Sequence, residues 1–473
     1  MVELATCILF SRLWMKQDFS KTSGTRADLI DIPQSSGKKG AGTILLGALF
    51  VLLAVFVMKQ SLGASDAFVT VKDGAFYVDG HPYRYLGVNY WYACYLGANI
   101  EQNGRERLIR ELDELKELGI DNLRILGASE ESVITSLTPA IQSSPGVYNE
   151  KLLVGLDFAL DEMAKRGMKA VIFLNNTWRW TGGMSQYIQW VDGQPIIEQN
   201  EAWIPFITNI TRFYEMEECQ KIYRDYIRMI LLRRNTVNGR VYRDDPTIMA
   251  WQLANEPRPG EENDFARNLP VFASWVDSTA KYIKSLDSGH LLTTGSEGLW
   301  GCNGSRENYI EIHAVPEIDY ATVHVWPLNW SWFDPEKEAE TFPDTMKRTR
   351  EYLDEHVEIA EQLGKPLVIE EFGLPRDGHD YRPQGSTHYR DEYFAAILQM
   401  LFEEPILNGI NVWSWGGLGG ETAIPGETWT PGTSFTGDNP VEPNGRNSIY
   451  STDKSTLELF CKTIRKIDNN PQQ

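Results

Sequence analysis

The sequence predicts an α/β fold, a single (β/α)8 barrel (TIM barrel) over residues 66–473, with an N-terminal β-hairpin before its first strand. Eight short β-rich runs follow one another between residues 83 and 415, and longer stretches, several of them helical, separate them. After the eighth run we expect a Gly/Pro-rich loop and one closing helix, so no second domain is visible. This alternation is typical of a (β/α)8 barrel, and a doubly wound open sheet is the alternative.

Each element has a signal of its own. Residues 68–85 alternate apolar and polar side chains around two Asp-Gly pairs, which predicts tight β-hairpins. Residues 105–119 carry leucines at intervals of three and four and end on Gly119, which predicts an amphipathic helix and its stop. The predicted barrel strands are 83–90, 121–126, 169–175, 248–256, 291–295, 320–326, 366–372 and 409–415.

The residues before the predicted barrel differ from it in composition. Residues 1–39 lack sustained periodicity, which predicts a flexible tail. Residues 40–62 form an apolar segment, and its uncharged part from Gly40 to Met58 lies between lysines. Such a segment is typical of a secretory signal peptide, or of an uncleaved anchor that would hold the chain in a membrane through residues 40–58. We therefore expect a secreted or otherwise extracytoplasmic protein.

The net charge argues against a nucleic-acid partner, and the cysteine spacing argues against a zinc site. A net charge of −20 argues against nucleic acid, because a polyanion is bound by clustered Lys and Arg. The five cysteines include no Cys-x-x-Cys pair, so a cysteine zinc site has no support. In an exported chain, one or two disulfides can form among the last four, which are Cys94, Cys219, Cys302 and Cys461.

Polar and aromatic side chains lie at the ends of the predicted strands, where a barrel of this type places its ligand site. Buried strands seldom carry polar residues unless these are paired or used. The candidates at the strand ends are Arg124, Asn175, Asn176, Asn255, Glu256, His324, Trp326, Glu371 and Trp413.

Two of these candidates, Glu256 and Glu371, are acids three strands apart around a closed ring. Two carboxylates across a cleft are what glycoside hydrolysis requires, because one protonates the leaving oxygen while the other attacks the anomeric carbon or activates water. Their tasks need different pKa values. We expect Arg124 to keep the attacking carboxylate ionised and mutual repulsion to keep the other protonated.

Two motifs carry a resemblance to a known family. The stretches "WQLANEPRPG" (251–260) and "KPLVIEEFG" (365–373) resemble the fourth-strand and seventh-strand motifs of glycoside hydrolase family 5, a family of retaining (β/α)8 glycosidases. The resemblance implies that Glu256 is the acid/base, that Glu371 is the nucleophile, and that neither a cofactor nor a metal is needed. Glu370 is the second candidate for nucleophile, but strand alternation predicts that it faces the opposite side.

The same resemblance implies roles for residues around the two acids. Asn255 matches the asparagine that binds the sugar 2-hydroxyl, Arg124 the arginine near the nucleophile, and Trp413 the platform under the sugar at the cleavage point. His324 and Trp326 fit the sixth-strand His-x-aromatic pattern.

Three further features resemble the endo-β-1,4-mannanases of the family. Arg258 and Glu297 match residues on the leaving-group side. The stretches 174–183 and 324–333 resemble bacterial-type members. The two stretches place four tryptophans along the cleft, with Asn175 and Asn176 beside them, and these are Trp178, Trp180, Trp330 and Trp332.

The implied activity is endo-hydrolysis of β-1,4-mannosidic linkages, with a β-mannan polysaccharide as the partner and a monomer as the expected state. A β-1,4-glucanase on the same scaffold is the first alternative, because a fold does not determine a substrate. A non-catalytic glycan-binding barrel is the second.

Overall fold

A computed structural model describes residues 67–133, 137–200 and 202–469. The predicted tail at 1–39 and the apolar segment at 40–62 lie outside these residues, and both stay predictions. Within the described ranges, no helix has both the length and the apolar character needed to cross a membrane.

Fifteen strands are formed by the described residues. They are β1 (Thr70–Lys72), β2 (Ala75–Val78), β3 (His81–Pro82), β4 (Tyr85–Asn89), β5 (Asn122–Leu126), β6 (Gln142–Ser144), β7 (Val147–Tyr148), β8 (Lys169–Phe173), β9 (Ile248–Gln252), β10 (Leu291–Thr293), β11 (Ala321–Val325), β12 (Leu367–Phe372), β13 (Leu407–Val412), β14 (Trp415–Gly417) and β15 (Ile449–Tyr450).

Helices lie between and after these strands. They are α1 (Ala93–Gly97), α2 (Gly104–Leu118), α3 (Glu150–Lys165), α4 (Gly183–Asp192), α5 (Trp203–Glu215), α6 (Glu217–Leu231), α7 (Glu262–Leu286), α8 (Arg306–His313), α9 (Glu338–Leu363), α10 (His388–Gln399) and α11 (Lys454–Asn469). The predicted leucine-rich helix is confirmed as α2. It ends at Gly119, whose φ of 89° is the left-handed value that favours glycine at a helix stop.

Eight parallel strands form one sheet in the order β10-β9-β8-β5-β4-β13-β12-β11. Backbone hydrogen bonds bring the two outer strands together, from Asp319 N–H to the Leu292 carbonyl at 2.8 Å and from His324 N–H to the Glu297 carbonyl at 3.0 Å. The predicted (β/α)8 barrel is therefore confirmed, and the doubly wound open sheet is excluded.

A small antiparallel sheet precedes the barrel. β2 pairs with β1 and with β3, and the two connections are the Asp-Gly pairs at 73–74 and 79–80. Phe76 of β2 packs against Tyr85 and Tyr320, with ring centroids 6.5 and 5.3 Å away. Both tyrosines lie at the amino ends of barrel strands, so this sheet covers the end of the barrel opposite to the site.

Three of the four cysteines that could pair in an exported chain form no disulfide with one another. Cys94, Cys219 and Cys302 are buried free thiols, so no disulfide joins them. Each packs in the apolar layer between the sheet and its helices, where a cysteine acts as a small apolar side chain.

Candidate active site

Two carboxylates meet at the carboxyl ends of the strands. Glu256 follows β9, Glu371 lies in β12, and both are almost fully buried. One oxygen of each and a ring nitrogen of His324 all lie within 4.8 Å of one another. Retaining glycosidases hold their carboxyl groups about 5 to 5.5 Å apart, whereas inverting ones need about 6.5 to 9.5 Å to admit a water. The separation therefore fits a retaining enzyme.

Arg124 fixes the attacking side of the site from below. Its guanidinium is fully buried and donates to Glu371, to Asn255 Oδ1 at 2.6 Å, to Gln252 Oε1 at 2.9 Å and to Asn89 Oδ1 at 3.0 Å. A planar guanidinium that is held at every edge cannot rotate away from its carboxylate. Glu371 and Asn255 are consequently positioned by one side chain.

His324 is the second cation of the site. Its Nδ1 lies 2.6 Å from Glu256 Oε1 and 3.6 Å from Glu371 Oε2. Burial by itself lowers the pKa of His324, but the negative charge of Glu371, together with Glu256 and Glu370, raises it to about 10. The imidazole is therefore protonated at neutral pH and donates to Glu256.

The order of the carboxyl pKa values differs from the one expected from the sequence. Burial and the charge of Glu256 raise the pKa of Glu371, although His324 and Arg124 oppose this. Burial also acts to raise the pKa of Glu256, but the hydrogen bond and charge of His324 outweigh it and lower that pKa. The expectation left out His324, whose imidazolium lies nearer to Glu256 than to Glu371.

The backbone of Glu256 is strained. Its φ is 52°, a left-handed value that few residues other than glycine adopt and that costs on the order of 1 to 3 kcal/mol. Two hydrogen bonds hold it, from Glu256 N–H to the Gly295 carbonyl at 2.9 Å and from the Thr177 hydroxyl to the Glu256 carbonyl at 2.7 Å. Such strain is concentrated at functional sites.

Glu370 does not face away from the barrel interior, so the alternation argument is wrong for it. The pairing of β11 with β12 shifts between Val323 and His324, so that His324 pairs with Glu371 and Glu370 is the extra residue of a bulge. Glu370 accepts from Gln252 and lies 3.9 Å from Arg124. It is buried below the catalytic pair.

Asn175 and Asn176 lie behind the cavity wall and are fully buried. The Asn175 carbonyl accepts from Asn255 N–H at 2.8 Å. Asn176 Oδ1 accepts from Asn255 Nδ2 at 3.1 Å and from Trp178 N–H at 3.0 Å. Trp178 in turn donates its indole N–H to Glu256. The two asparagines thus position residues that do reach the cavity.

Arg258 and Glu297 form an ion pair on the side of Glu256. The guanidinium also lies 4.9 Å from the ring centre of Trp178, a cation-π contact. Burial and the charge of Glu256 raise the pKa of Glu297 to about 7, and Arg258 opposes this rise.

One cavity of about 870 Å³ connects these groups. The predicted residues that line it are Trp178, Trp180, Asn255, Glu256, Arg258, Glu297, Trp326, Trp330, Trp332, Glu371 and Trp413. Trp413 and Trp326 meet edge to face, with ring centroids 6.0 Å apart. Arg124 and His324 are fully buried directly beneath the two carboxylates.

The family follows from comparison with known proteins. The family model described as GH family 5 beta-mannosidase-like matches residues 66–471. The chain belongs to glycoside hydrolase family 5. Its narrower likeness to bacterial-type mannanases stays a prediction.

Relatives of this family 5 chain agree with that assignment. It is 32% identical to mannan endo-1,4-beta-mannosidase 1 of Oryza sativa subsp. japonica, over 80% of this chain and 85% of the relative. It is 30% identical to mannan endo-1,4-beta-mannosidase 7 of Arabidopsis thaliana, over 89% and 91% of the two chains. The crystal structure of a family 5 mannosidase from Rhizomucor miehei superposes with a TM-score of 0.78 at 33% identity, covering 87% of this chain and all of that one.

The family 5 barrel also places on the cavity wall some residues that the sequence reasoning missed. They are Trp203, Glu261, Trp300, Asn439 and Glu442. Burial raises the pKa of Glu442 to about 7, although Arg446 lies 3.2 Å away and opposes the rise. These residues lie in loops or at a helix start, where no strand-end rule applies.

Glu256, His324 and Glu371 are the described residues whose ligand atoms are close enough to share a metal ion. A protonated imidazole has no lone pair to offer a metal, and Arg124 already pairs with Glu371. The set therefore fits proton transfer better than cation binding.

Proposed function

We propose that this family 5 chain hydrolyses β-1,4-mannosidic linkages within mannan, glucomannan or galactomannan chains and retains the anomeric configuration. The close pair of Glu256 and Glu371, within 4.8 Å in a tryptophan-lined cavity, carries the proposal. The names of the rice and Arabidopsis relatives support the substrate and the internal cleavage.

In the first step, a Glu371 carboxylate oxygen attacks the anomeric carbon, and the bond from that carbon to the leaving oxygen breaks. Glu256 gives its proton to the leaving oxygen, which departs as a hydroxyl of the shortened chain. In the second step, Glu256 removes a proton from water while the water oxygen attacks the anomeric carbon. Glu371 leaves as a carboxylate, and the site returns to its starting state.

The proton must lie on Glu256 when the leaving bond breaks, although the hydrogen bond and charge of His324 lower the pKa of Glu256 against the effect of burial. Positive charge develops on the anomeric carbon in the transition state. This charge stabilises the anion of Glu371, the nearest carboxylate. A proton shared by Glu256 and Glu371 then moves toward Glu256. The imidazolium of His324, 2.6 Å from Glu256, is the adjacent proton donor.

In this proposal, four residues contact the substrate: Asn255, Trp413, Arg258 and Glu297. Arg124 holds Asn255 Oδ1, and Asn176 accepts from Asn255 Nδ2, so the other Nδ2 hydrogen is directed to the sugar 2-hydroxyl. Trp413 lies under the sugar that Glu371 attacks. Arg258 and Glu297 contact the leaving group, because both lie on the Glu256 side of the cavity.

Product analysis tests the substrate and the cleavage mode together. We expect reducing ends to be released from locust bean gum and not from carboxymethyl cellulose, and mannohexaose to yield oligomers. Faster release from carboxymethyl cellulose would identify a β-1,4-glucanase. Release of mannose alone would replace internal cleavage by removal of terminal units, and binding of mannan without cleavage would identify a glycan-binding barrel.

We also propose that the enzyme acts as an extracytoplasmic monomer, exported or anchored through residues 40–58. The uncharged run between lysines supports export or anchoring. Fractionation of expressing cells, with and without residues 1–62, tests it. Full-length protein that stays in the soluble cytosolic fraction would contradict the proposal.

A further inference from the structure

Glu370 is a buried acid that the proposed chemistry does not use. It is 1% exposed, and as the extra residue of the bulge between β11 and β12 it turns toward the barrel interior, below the catalytic pair. Burying a carboxylate costs free energy unless its charge is paired. Its Oε2 lies 3.8 Å from His324 Nε2, on the side of the ring that does not meet Glu256.

Three side chains hold Glu370 in place. The Tyr320 hydroxyl donates to its Oε1 at 3.4 Å, and Gln252 Nε2 donates to its Oε2. The Asn89 amide donates to its backbone carbonyl at 2.7 Å. Gln252 also accepts from Arg124 Nε at 2.9 Å. Glu370 therefore belongs to the framework that Arg124 forms beneath the two catalytic carboxylates.

The imidazole of His324 lies between two acids. Its Nδ1 is 2.6 Å from Glu256 Oε1, whereas its Nε2 has no hydrogen-bond partner among the described residues. Glu370 consequently acts on Nε2 through its charge, at 3.8 Å. A neutral imidazole carries one N–H and can place it on either nitrogen, whereas an imidazolium has both. Only a ring with a proton on Nδ1 can donate to Glu256.

We propose that Glu370 is a positioning residue, whose charge keeps both nitrogens of His324 protonated so that Nδ1 donates to Glu256. The inference rests on the proposed function, because it gives Glu370 a part in proton transfer to the leaving oxygen. Without this charge, the buried ring loses its proton at a lower pH. The site then holds one proton fewer when the leaving bond breaks.

Several other ionisable groups surround His324 and Glu370. They are Tyr85 in β4, Arg124 in β5, Glu256 after β9, Glu297 after β10, Tyr309 in α8, Tyr320 before β11 and Glu371 in β12. Burial raises the pKa of the three tyrosines, so they stay uncharged in the working range. Glu297, whose pKa is about 7, is present in wild type and in a Glu370 variant alike. A difference between their pH profiles is therefore due to Glu370.

Glu370→Gln tests the inference through the pH dependence of kcat/KM on mannohexaose. Gln keeps the shape and removes a charge about 4 Å from the imidazolium, so the alkaline limb should move at least about one pH unit toward acid. Glu370→Asp keeps the charge and should move the limb less. Glu111→Gln is the matched control, because Glu111 is a fully buried carboxylate that pairs with Arg107 and lies outside the cavity lining. Its limb should coincide with that of wild type.

Heteronuclear NMR of protein labelled in its histidines gives a readout that needs no activity, and His324→Asn assigns the ring. In wild type both nitrogens should be protonated at about pH 8, whereas in Glu370→Gln the ring should titrate at least about one pH unit lower. The wild-type spectrum tests the inference even if Glu370→Gln does not fold.

A neutral ring in wild type at that pH would overturn the inference. A titration or an alkaline limb that Glu370→Gln leaves unchanged would overturn it as well. Wild-type protein that shows the imidazolium but cleaves neither mannohexaose nor galactomannan would instead refute the proposed function.

Discussion

Glu130 holds the loop that carries two cleft tryptophans, and its replacement by Gln tests whether it is neutral in the folded protein. Glu130 follows β5 and is almost fully buried. Its Oε2 accepts from Gly183 N–H at 2.8 Å, and its own N–H donates to the Thr181 carbonyl at 2.6 Å. These bonds join it to the loop of Trp178 and Trp180, while Oε1 has no hydrogen-bond partner among the described residues.

The size of the change in the free energy of unfolding follows from the pKa of Glu130. Burial raises the pKa of Glu130 from 4.5 to about 8, against the Gly183 hydrogen bond. Between these pH values the folded state binds more protons than the unfolded chain, so the free energy of unfolding falls as pH rises. The contribution of protonated Glu130 to the free energy of unfolding is complete below about pH 4.5 and is lost by about pH 8. At about 1.4 kcal/mol per unit, the loss reaches up to about 5 kcal/mol.

Urea denaturation of wild type and Glu130→Gln between about pH 5 and pH 8 measures this. Gln keeps the shape and does not titrate, so the variant should gain stability relative to wild type as pH rises, by up to about 4 kcal/mol over these three pH units. Glu131→Gln is the control, because Glu131 is exposed, and it should stay within about 0.5 kcal/mol of wild type. A difference between Glu130→Gln and wild type that is the same at both ends of the pH range would refute the reasoning.

The catalytic roles give three further predictions. Glu371→Ala should keep the circular dichroism spectrum but lower kcat on mannohexaose below about 0.1% of wild type, and retention of a few per cent contradicts its role as nucleophile. Glu256→Gln should lower mannohexaose cleavage by about 10² to 10⁴ and cleavage of a 2,4-dinitrophenyl mannoside much less, because that leaving group needs no proton; equal losses contradict the acid role. Arg124→Lys keeps the charge but cannot hold four acceptors, so kcat should fall at least about tenfold, and an unchanged kcat in initial-rate assays argues against its positioning of Glu371.

The strands and their polar ends could be predicted because both follow from local pattern. A buried β-rich run is visible in the sequence, and a parallel barrel brings every carboxyl end to one face. The predicted strand 121–126 contains β5, and the predicted strand 248–256 contains β9, which ends at Gln252, four residues before Glu256. The topology alone then placed Glu256 and Glu371 in one cavity.

Glu370 could not be placed by the same reasoning, since alternation holds only while the register is unbroken. The shift between Val323 and His324 turns both Glu370 and Glu371 toward the interior. A bulge depends on how two distant strands pair, and neither strand states this in its own sequence. Trp203 and Trp300 were missed for a related reason, because loops of different length decide which of many tryptophans reaches the cavity.

The order of the two carboxyl pKa values depended on distances that the sequence does not contain, but the charge balance explains why a proton is available. Ion pairs connect four buried carboxylates with three cations, and these are Glu256, Glu297, Glu370 and Glu371 with Arg124, Arg258 and His324. One negative charge is therefore in excess. Burial raises the pKa values of Glu297 and Glu371, and the negative charge of Glu256 adds to the rise. A site with this excess binds one proton more readily than separate carboxylates do. The proposed reaction uses one proton, given to the leaving oxygen and recovered from water.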